Sequence, residues 1–221
     1  MFANLKVATR LALGFGALVL LLLAISVTSV LRLGSLNQAS TSITEDIYPE
    51  VALSGDVVRS ALDNGRHLRD MLLATTDTEA ERTWQDVAAT RAHASELLKK
   101  LEREIDTDKG KELFRTCGER QAALDSRFER LHELARADHA KAIDYMKTEF
   151  SPANTSYRAA LDELQKYEVE RMDAAAKNSA EVFVATRALV LSLAAGALLL
   201  AIGVAFAITR NLQNVLGGEP A

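Results

Sequence analysis

The sequence of 221 residues contains one cysteine, three prolines, eleven glycines and only 5% aromatic residues. A single cysteine excludes a disulfide framework within the chain and any cysteine-rich metal site. The shortage of proline and glycine argues against a turn-rich β protein. The net charge of −4 gives no support for nucleic-acid binding, so we expect no nucleic-acid partner.

Two long runs without any charged residue lie near the ends of the chain. Residues 11–31 and residues 188–209 are each bounded on both sides by arginine. Each run is long enough for an α-helix to cross roughly 30 Å of hydrocarbon, so we predict two transmembrane helices. The first run could instead be a cleaved signal peptide, although it is longer than the usual hydrophobic region of one.

The segment between the two spans has a helical pattern. Apolar residues recur there at alternating steps of three and four along four stretches, the last of which begins at Ile143. Such spacing gives each helix one apolar stripe to bury against its neighbours. The pattern slips by one residue near Pro49, and we expect helix kinks at Pro49 and Pro152 because proline removes a backbone hydrogen bond.

Short breaks separate the four stretches, near residues 75–78, 106–110 and 137–138. Thr78 followed three residues later by Glu81 predicts a capping box after the first break, and Asp138 is a predicted N-cap. Short connections make sequential helices antiparallel neighbours. The sequence therefore predicts an all-α fold, an antiparallel up-down-up-down four-helix bundle continuous with two transmembrane helices.

The charges beside the first span orient the chain. Lys6 and Arg10 precede it, which places the N-terminus in the cytoplasm by the positive-inside rule, and two crossings return the C-terminus to the same side. The predicted segments are a cytoplasmic N-terminus at 1–10, transmembrane helix 1 at 11–31, an external bundle at 32–187, transmembrane helix 2 at 188–209 and a C-terminal segment at 210–221.

Three short segments resemble the methyl-accepting chemotaxis proteins, or chemoreceptors. They are the opening residues 4–16 (NLKVATRLALGFG), the step Ile47–Pro49 and the closing residues Leu216–Pro220. The closing residues are similar to the start of a HAMP linker, so the chain resembles a receptor sensor half that is truncated there. The resemblance covers essentially the whole chain.

This resemblance implies a receptor and not an enzyme, without a cofactor. It places the protein in the bacterial inner membrane, with the bundle as a ligand-binding domain in the periplasm and both termini in the cytoplasm. It further implies a homodimer whose intact relatives reach a coupling adaptor and a histidine kinase through their cytoplasmic part. Two alternatives remain open: an input domain of a sensor histidine kinase or diguanylate cyclase, and a membrane-anchored interaction bundle that binds no ligand.

The candidate ligand site is a band of polar residues at a similar depth below the distal turns. Arg91 occupies a stripe position, where a buried guanidinium is costly unless a carboxylate meets it, and arginine binds carboxylates with two parallel hydrogen bonds. In aspartate-type receptors, first-helix arginines and polar residues before the fourth-helix proline hold a carboxylate at the dimer interface, and this chain matches them loosely. The predicted ligand-binding residues for a small carboxylate are Arg59, Arg66, Arg69, Arg91, Tyr145, Thr148 and Ser151.

Structural roles compete with four of these assignments. Arg66 and Arg69 can pair with nearby aspartates at the surface, Arg91 can pair with a glutamate of the bundle, and Tyr145 can simply pack. The chain has a single Glu-x-x-His sequence, ending at His132, and a di-iron bundle needs two, so we expect no metal site. We expect Cys117 to be a small core residue.

Overall fold

The computed structural model describes residues 7–216, except the side chains of residues 7, 8, 10, 11 and 211–216. No residue in this part of the chain belongs to a β-strand. The predicted all-α four-helix bundle is confirmed. The helices are α1 (Val7–Thr41), α2 (Tyr48–Leu73), α3 (Asp77–Glu104), α4 (Asp108–Ala137), α5 (His139–Tyr145) and α6 (Ser151–Leu216), and π-helical segments at Ser42–Ile47 and Met146–Phe150 lead into α2 and α6.

The described chain divides into two compact units. One contains residues 7–40 and 176–216, and the other is the bundle, residues 41–175. Two helical stretches, one toward each end of the chain, include segments long and apolar enough to cross a membrane. Within the first unit, a Cβ atom on Gly14 would lie 2.7 Å from a methyl group of Val204, so this glycine allows close approach of the two helices.

The exact limits of the two membrane spans remain a prediction. The predicted cytoplasmic N-terminus at 1–10 and the predicted HAMP start at 210–221 fall partly outside the described residues. The bundle unit is shorter at both ends than the external segment predicted at 32–187.

The core of the bundle lies where the predicted stripes meet. One leucine from each of the four bundle helices is completely buried, namely Leu68, Leu101, Leu131 and Leu164. Burial of such side chains is the main favourable contribution to the free energy of folding, because each removes a large apolar surface from water. The helices α2 and α3 pack along each other, and α4 packs along α5 and the second π-helical segment.

A π-helical turn precedes each of the two prolines at which we expect kinks. The backbone N–H of Tyr48 donates to the carbonyl of Ile43, and that of Ser151 donates to the carbonyl of Met146, both five residues back. A π-turn accommodates one extra residue, which accounts for the slip of the apolar pattern near Pro49. Upstream of the second π-turn, the stripe is also displaced.

This displacement corrects one predicted core position. Ile143, the expected first residue of the fourth stripe, is 36% exposed, and its neighbour Ala142 is fully buried instead. The extra residue of the π-turn rotates the preceding helix by one position, so the steps of three and four cannot be counted back through it.

The helix starts agree with the predicted breaks, with one correction. The hydroxyl of Thr76 accepts from the N–H of Glu79 at 3.2 Å, and the Glu79 carboxylate accepts from the N–H of Thr75 at 3.0 Å. The capping box predicted at Thr78 is therefore wrong by two residues, because α3 already begins at Asp77. The Asp138 cap is confirmed, since its carboxylate accepts from the N–H of Lys141 at 3.1 Å.

Two leucines of α2 offer a matched test of this core. Leu68 is completely buried, whereas Leu62 is 43% exposed. We expect Leu68→Ala to lower the free energy of unfolding by about 2–5 kcal/mol, because it leaves a cavity. Leu62→Ala should lower it by no more than about 1 kcal/mol. Urea unfolding of the detergent-solubilised chain, followed by fluorescence of the single tryptophan, Trp84, measures both values. Equal losses would contradict this packing.

Candidate functional site

A cavity of about 340 Å³ lies between the four bundle helices, in the predicted polar band. This volume is in the range of pockets that hold small molecules in proteins. Its lining mixes apolar groups with amide, hydroxyl and charged side chains from every bundle helix. The polar lining residues are Asn64, Arg91, Ser95, Gln121, Asp125, Asn154 and Tyr157.

Arg91 is the only member of the predicted binding set that lines this cavity. Its Nη1 donates to Oε1 of Glu129 at 2.9 Å, and its Nη2 donates to Oδ1 of Asp125 at 3.3 Å. The guanidinium also lies 4.4 Å from the ring centroid of Phe128, a cation–π distance. These two bonds leave further N–H groups of the guanidinium for another acceptor, because arginine has five donors.

Asn64 lines the cavity and has a buried side-chain oxygen without a hydrogen-bond partner. Asn64 is 6% exposed, and its Oδ1 atom has no hydrogen-bond partner. Leaving a buried acceptor unpaired costs about 1–3 kcal/mol. A donor group that reached this oxygen would remove that cost. The amide of Asn154 lines the same cavity, with Nδ2 3.3 Å from the position that a Cβ atom on Gly65 would occupy.

Tyr157 also lines this cavity. The residue is 6% exposed, and burial is the main cause that raises the pKa of its phenol. Interactions with Cys117 and Asp125 raise this pKa further. The hydroxyl therefore stays protonated at physiological pH and can both donate and accept a hydrogen bond.

The other predicted arginines lie on the exposed surface of α2. Arg59 pairs with Asp56 at 3.1 Å and Arg66 with Asp63 at 3.5 Å, and their side chains are 74% and 61% exposed. Arg69 donates through Nε to the carbonyl of Gly65 at 3.0 Å. They do not line the cavity with Arg91, because the inward face of α2 is occupied by the apolar stripe.

The three predicted residues of the fourth bundle helix also lie away from the cavity. Tyr145 is half-buried and packs against the core. Thr148 is exposed, and its hydroxyl donates to the carbonyl of Asp144 at 3.0 Å. Ser151 is exposed at the start of α6. Of the predicted binding residues, only Arg91 therefore lines the cavity.

Residues 4–183 match the family described as the four helix bundle sensory module for signal transduction. The chain belongs to this family. The match spans the first long apolar run and the whole bundle, and the module is the sensor type found in chemoreceptors. None of the curated proteins searched matches the chain.

A larger and more open groove of about 920 Å³ lies at the distal turn of the sensory module. Its residues come from the turn between α2 and α3 and from the ends of α4 and α5. The rings of Trp84 and His132 stack nearby at 4.1 Å, with an angle of 9° between their planes. Nε2 of His132 lies 3.5 Å from a carboxylate oxygen of Glu81, so this imidazole already has two neighbours.

Three other side chains that could be reactive or bind a metal, Cys117, Glu129 and His132, have structural roles in the module. Burial raises the pKa of the Cys117 thiol to about 12, so the thiol is protonated and unreactive at neutral pH. Glu129 pairs with Arg91 and His132 stacks on Trp84, which separates the roles of the two residues in the Glu-x-x-His sequence. Within residues 7–216, no group of three or more His, Cys, Asp or Glu residues is placed to hold a metal ion.

The prediction of the site missed Asn64, Asp125 and Tyr157 as a group. Asn64 immediately precedes Gly65, which lies on the apolar stripe of α2. A polar side chain next to the stripe could have indicated that Asn64 faces the interior of the bundle. Counting residues from the distal turns also places Gln121 and Asn154 at the depth of the polar band, but they were not among the predicted ligand-binding residues. Tyr157 follows the apolar spacing of its helix, which predicts a packing residue and gives no sign that it lines a cavity.

The stability role of Arg91 can be measured separately from ligand binding. The acids paired with it are about half exposed, so they stay hydrated when the arginine is removed. We expect Arg91→Met to lower the free energy of unfolding by about 1 kcal/mol or less, with methionine keeping a contact to Phe128. Arg115→Met, at an exposed pair, is the control, and Trp84 fluorescence reports both. A loss above about 3 kcal/mol would instead identify a buried structural pair.

Proposed function

We propose that this module is the sensor half of a transmembrane chemoreceptor that binds a small organic acid and transmits a helix displacement across the inner membrane. The observation that supports the proposal is the cavity between the bundle helices, whose lining includes Arg91, with N–H groups left for a ligand, and Asn64, whose buried oxygen has no partner. A guanidinium and an unsatisfied acceptor are complementary to a ligand with both a carboxylate and a donor group.

The polar lining narrows the ligand class. A ligand carboxylate would bind the remaining guanidinium donors of Arg91 and compete with Asp125 and Glu129 for the others. Water can solvate these two acids when the ligand displaces them. The oxygen of Asn64 can only accept, so it favours a hydroxyl or ammonium group on the ligand. We therefore propose hydroxy acids or amino acids ahead of simple diacids.

The helix α6 is the proposed carrier of the signal. It provides Asn154 and Tyr157 to the cavity and continues as one helix to Leu216, through the second apolar run. A ligand changes the position of such a helix only if it binds one arrangement more tightly than the other. Small helix shifts of this kind are a known mode of switching. The periplasmic bundle, the two membrane crossings and the cytoplasmic termini are part of this proposal.

A second location for the same ligand class is a homodimer interface along α2. Arg59, Arg66 and Arg69 lie on its exposed side, and the surface ion pairs of the first two are weak and easily released. A second copy of the chain facing this surface would double the number of guanidinium groups around a shared ligand. The coupling adaptor and histidine kinase would be reached through the cytoplasmic part of intact relatives.

A matched pair of ligands tests the proposal. Malate carries a hydroxyl group that succinate lacks. In a thermal-shift assay of the full chain in nanodiscs, we expect malate to raise the melting temperature more than succinate, and Arg91→Met to abolish the shift. Arg115→Met should retain it. Loss in Arg66→Met but not in Arg91→Met would locate the ligand at the dimer interface, and a screen of organic acids and amino acids without any shift would contradict the proposal.

Replacing Asn64 should not lower the stability of the protein but should weaken ligand binding. Asn64→Leu removes a buried acceptor that has no partner, so we expect the melting temperature without ligand to stay the same or rise. The same change should weaken binding of a hydroxy acid at least tenfold, since about 1.4 kcal/mol corresponds to that factor. Isothermal titration calorimetry measures the affinity. Unaltered affinity in Asn64→Leu would mean that this oxygen has no contact with the ligand.

A further inference from the structure

A second buried polar cluster lies at the end of the bundle that contains its first and last residues. Glu50 of α2 is 1% exposed and Glu168 of α6 is completely buried. Nη1 of Arg171 donates to both of them, at 2.6 Å to Oε2 of Glu50 and at 2.6 Å to Oε2 of Glu168. One guanidinium nitrogen therefore joins two carboxylates from different helices.

The charges in this cluster do not balance. Nη2 of Arg171 donates to Oδ1 of Asp106 at 3.0 Å, and Asp106 is largely exposed, so water solvates it. Two fully buried carboxyl groups then share one guanidinium, whose side chain is 18% exposed. With both carboxyl groups ionised the cluster would carry a net negative charge, and an uncompensated buried charge is strongly unfavourable. Buried acids avoid that cost by taking up a proton.

The hydrogen bonds of the cluster indicate where a proton fits. Oε1 of Glu168 is buried and has no hydrogen-bond donor. A protonated carboxyl group of Glu50 is a donor, and carboxyl pairs that share one proton in this way are known from proteins. The position of Gly110 leaves room for the pair, since a Cβ atom there would lie 3.2 Å from Oε1 of Glu168.

The surroundings favour the protonated form of Glu50. Burial, then the hydrogen bond with Glu168 and its charge, raise the pKa of Glu50 from 4.5 to about 8, while Arg171 acts in the opposite direction. The charged groups that act on Glu50 are Glu168 and Arg171 from α6 and Asp106 from the turn between α3 and α4. The nearby hydroxyl of Tyr167 is engaged, because it donates to Thr107.

We propose that the Glu50–Glu168 pair is a proton-binding site that gives the sensory module a second input, the pH of its surroundings. At neutral pH the pair holds one proton. At alkaline pH this proton passes to water, and two buried negative charges then face one guanidinium. The repulsion acts between α2 and α6, which loosens the packing of α6 in this part of the bundle. This input is separate from the cavity around Arg91.

The linkage between proton and stability has a definite sign. The pKa of Glu50 is raised in the folded bundle, whereas the unfolded chain keeps the ordinary value. The stabilisation is therefore complete at acidic pH and is lost as pH rises toward the folded-state pKa. Because one proton is released on unfolding, the unfolding equilibrium constant should increase about tenfold per pH unit between about pH 5 and pH 8.

Infrared spectroscopy of the full chain in nanodiscs tests the site directly. The carbonyl stretch of a protonated carboxyl group is distinct from that of a carboxylate. We expect the wild-type protein to show a protonated carboxyl band at pH 7 that disappears with a midpoint near pH 8. Glu50→Gln should lack this band. Glu170→Gln, which changes an exposed glutamate two residues from Glu168, should retain it. Absence of the band from the wild-type protein would overturn the proposal, whether or not the variants fold.

Hydrogen exchange tests the conformational part of the proposal. After correction for intrinsic exchange, peptides that cover residues 48–60 and 164–175 should exchange faster at pH 9 than at pH 7 in the wild-type protein and in Glu170→Gln. Glu50→Gln mimics the protonated pair, so its exchange should not depend on pH. A titrating band without any change in exchange would refute coupling to α6, and equal pH dependence in Glu50→Gln would assign the effect to another group. Neither result depends on a ligand in the cavity.

Discussion

Each of the four bundle helices must bury one apolar stripe, and the stripes follow steps of three and four from one end of the bundle to the other. Two prolines interrupt this pattern, since neither can donate a backbone hydrogen bond. The π-helical turn before each proline absorbs one residue, and downstream of it the stripe faces the core again. The bundle therefore keeps a continuous core, and any polar group inside it is an exception that needs a partner.

The two polar clusters inside the bundle resolve this requirement differently. Around Arg91 both acids reach solvent, so water compensates their charge, and the group left without a partner is a neutral oxygen on Asn64. Around Arg171 the acids are buried and outnumber the guanidinium. A neutral acceptor can be satisfied by a donor group of a small molecule, whereas excess buried charge is most simply satisfied by a proton. This difference is why we assign a ligand to one cluster and pH to the other.

The sequence predicted the fold because stripe spacing is a local property, and the same property located Arg91 at a core position. It could not identify the partners of Arg91, which depend on how α4 is rotated against α3. The contact between Arg171 and Glu50 joins residues 121 positions apart, and no local pattern encodes it. The capping box had two solutions with equal spacing, at Thr76 and at Thr78, and only the observed start of α3 distinguishes them. The exposed arginines of α2 share a face as their spacing implies, but that face is opposite the stripe.

The helix α6 takes part in both clusters. Asn154 and Tyr157 lie at the cavity, and Glu168 and Arg171 lie about 21 Å farther along the same helix at 1.5 Å per residue. Under the two proposals, a ligand that favours one position of α6 must change the proton affinity of the Glu50–Glu168 pair. The proton must change the ligand affinity by the same factor, because coupling between two sites is reciprocal. Two unrelated chemical inputs would then act on one helix, and that helix is the segment that continues through the second apolar run.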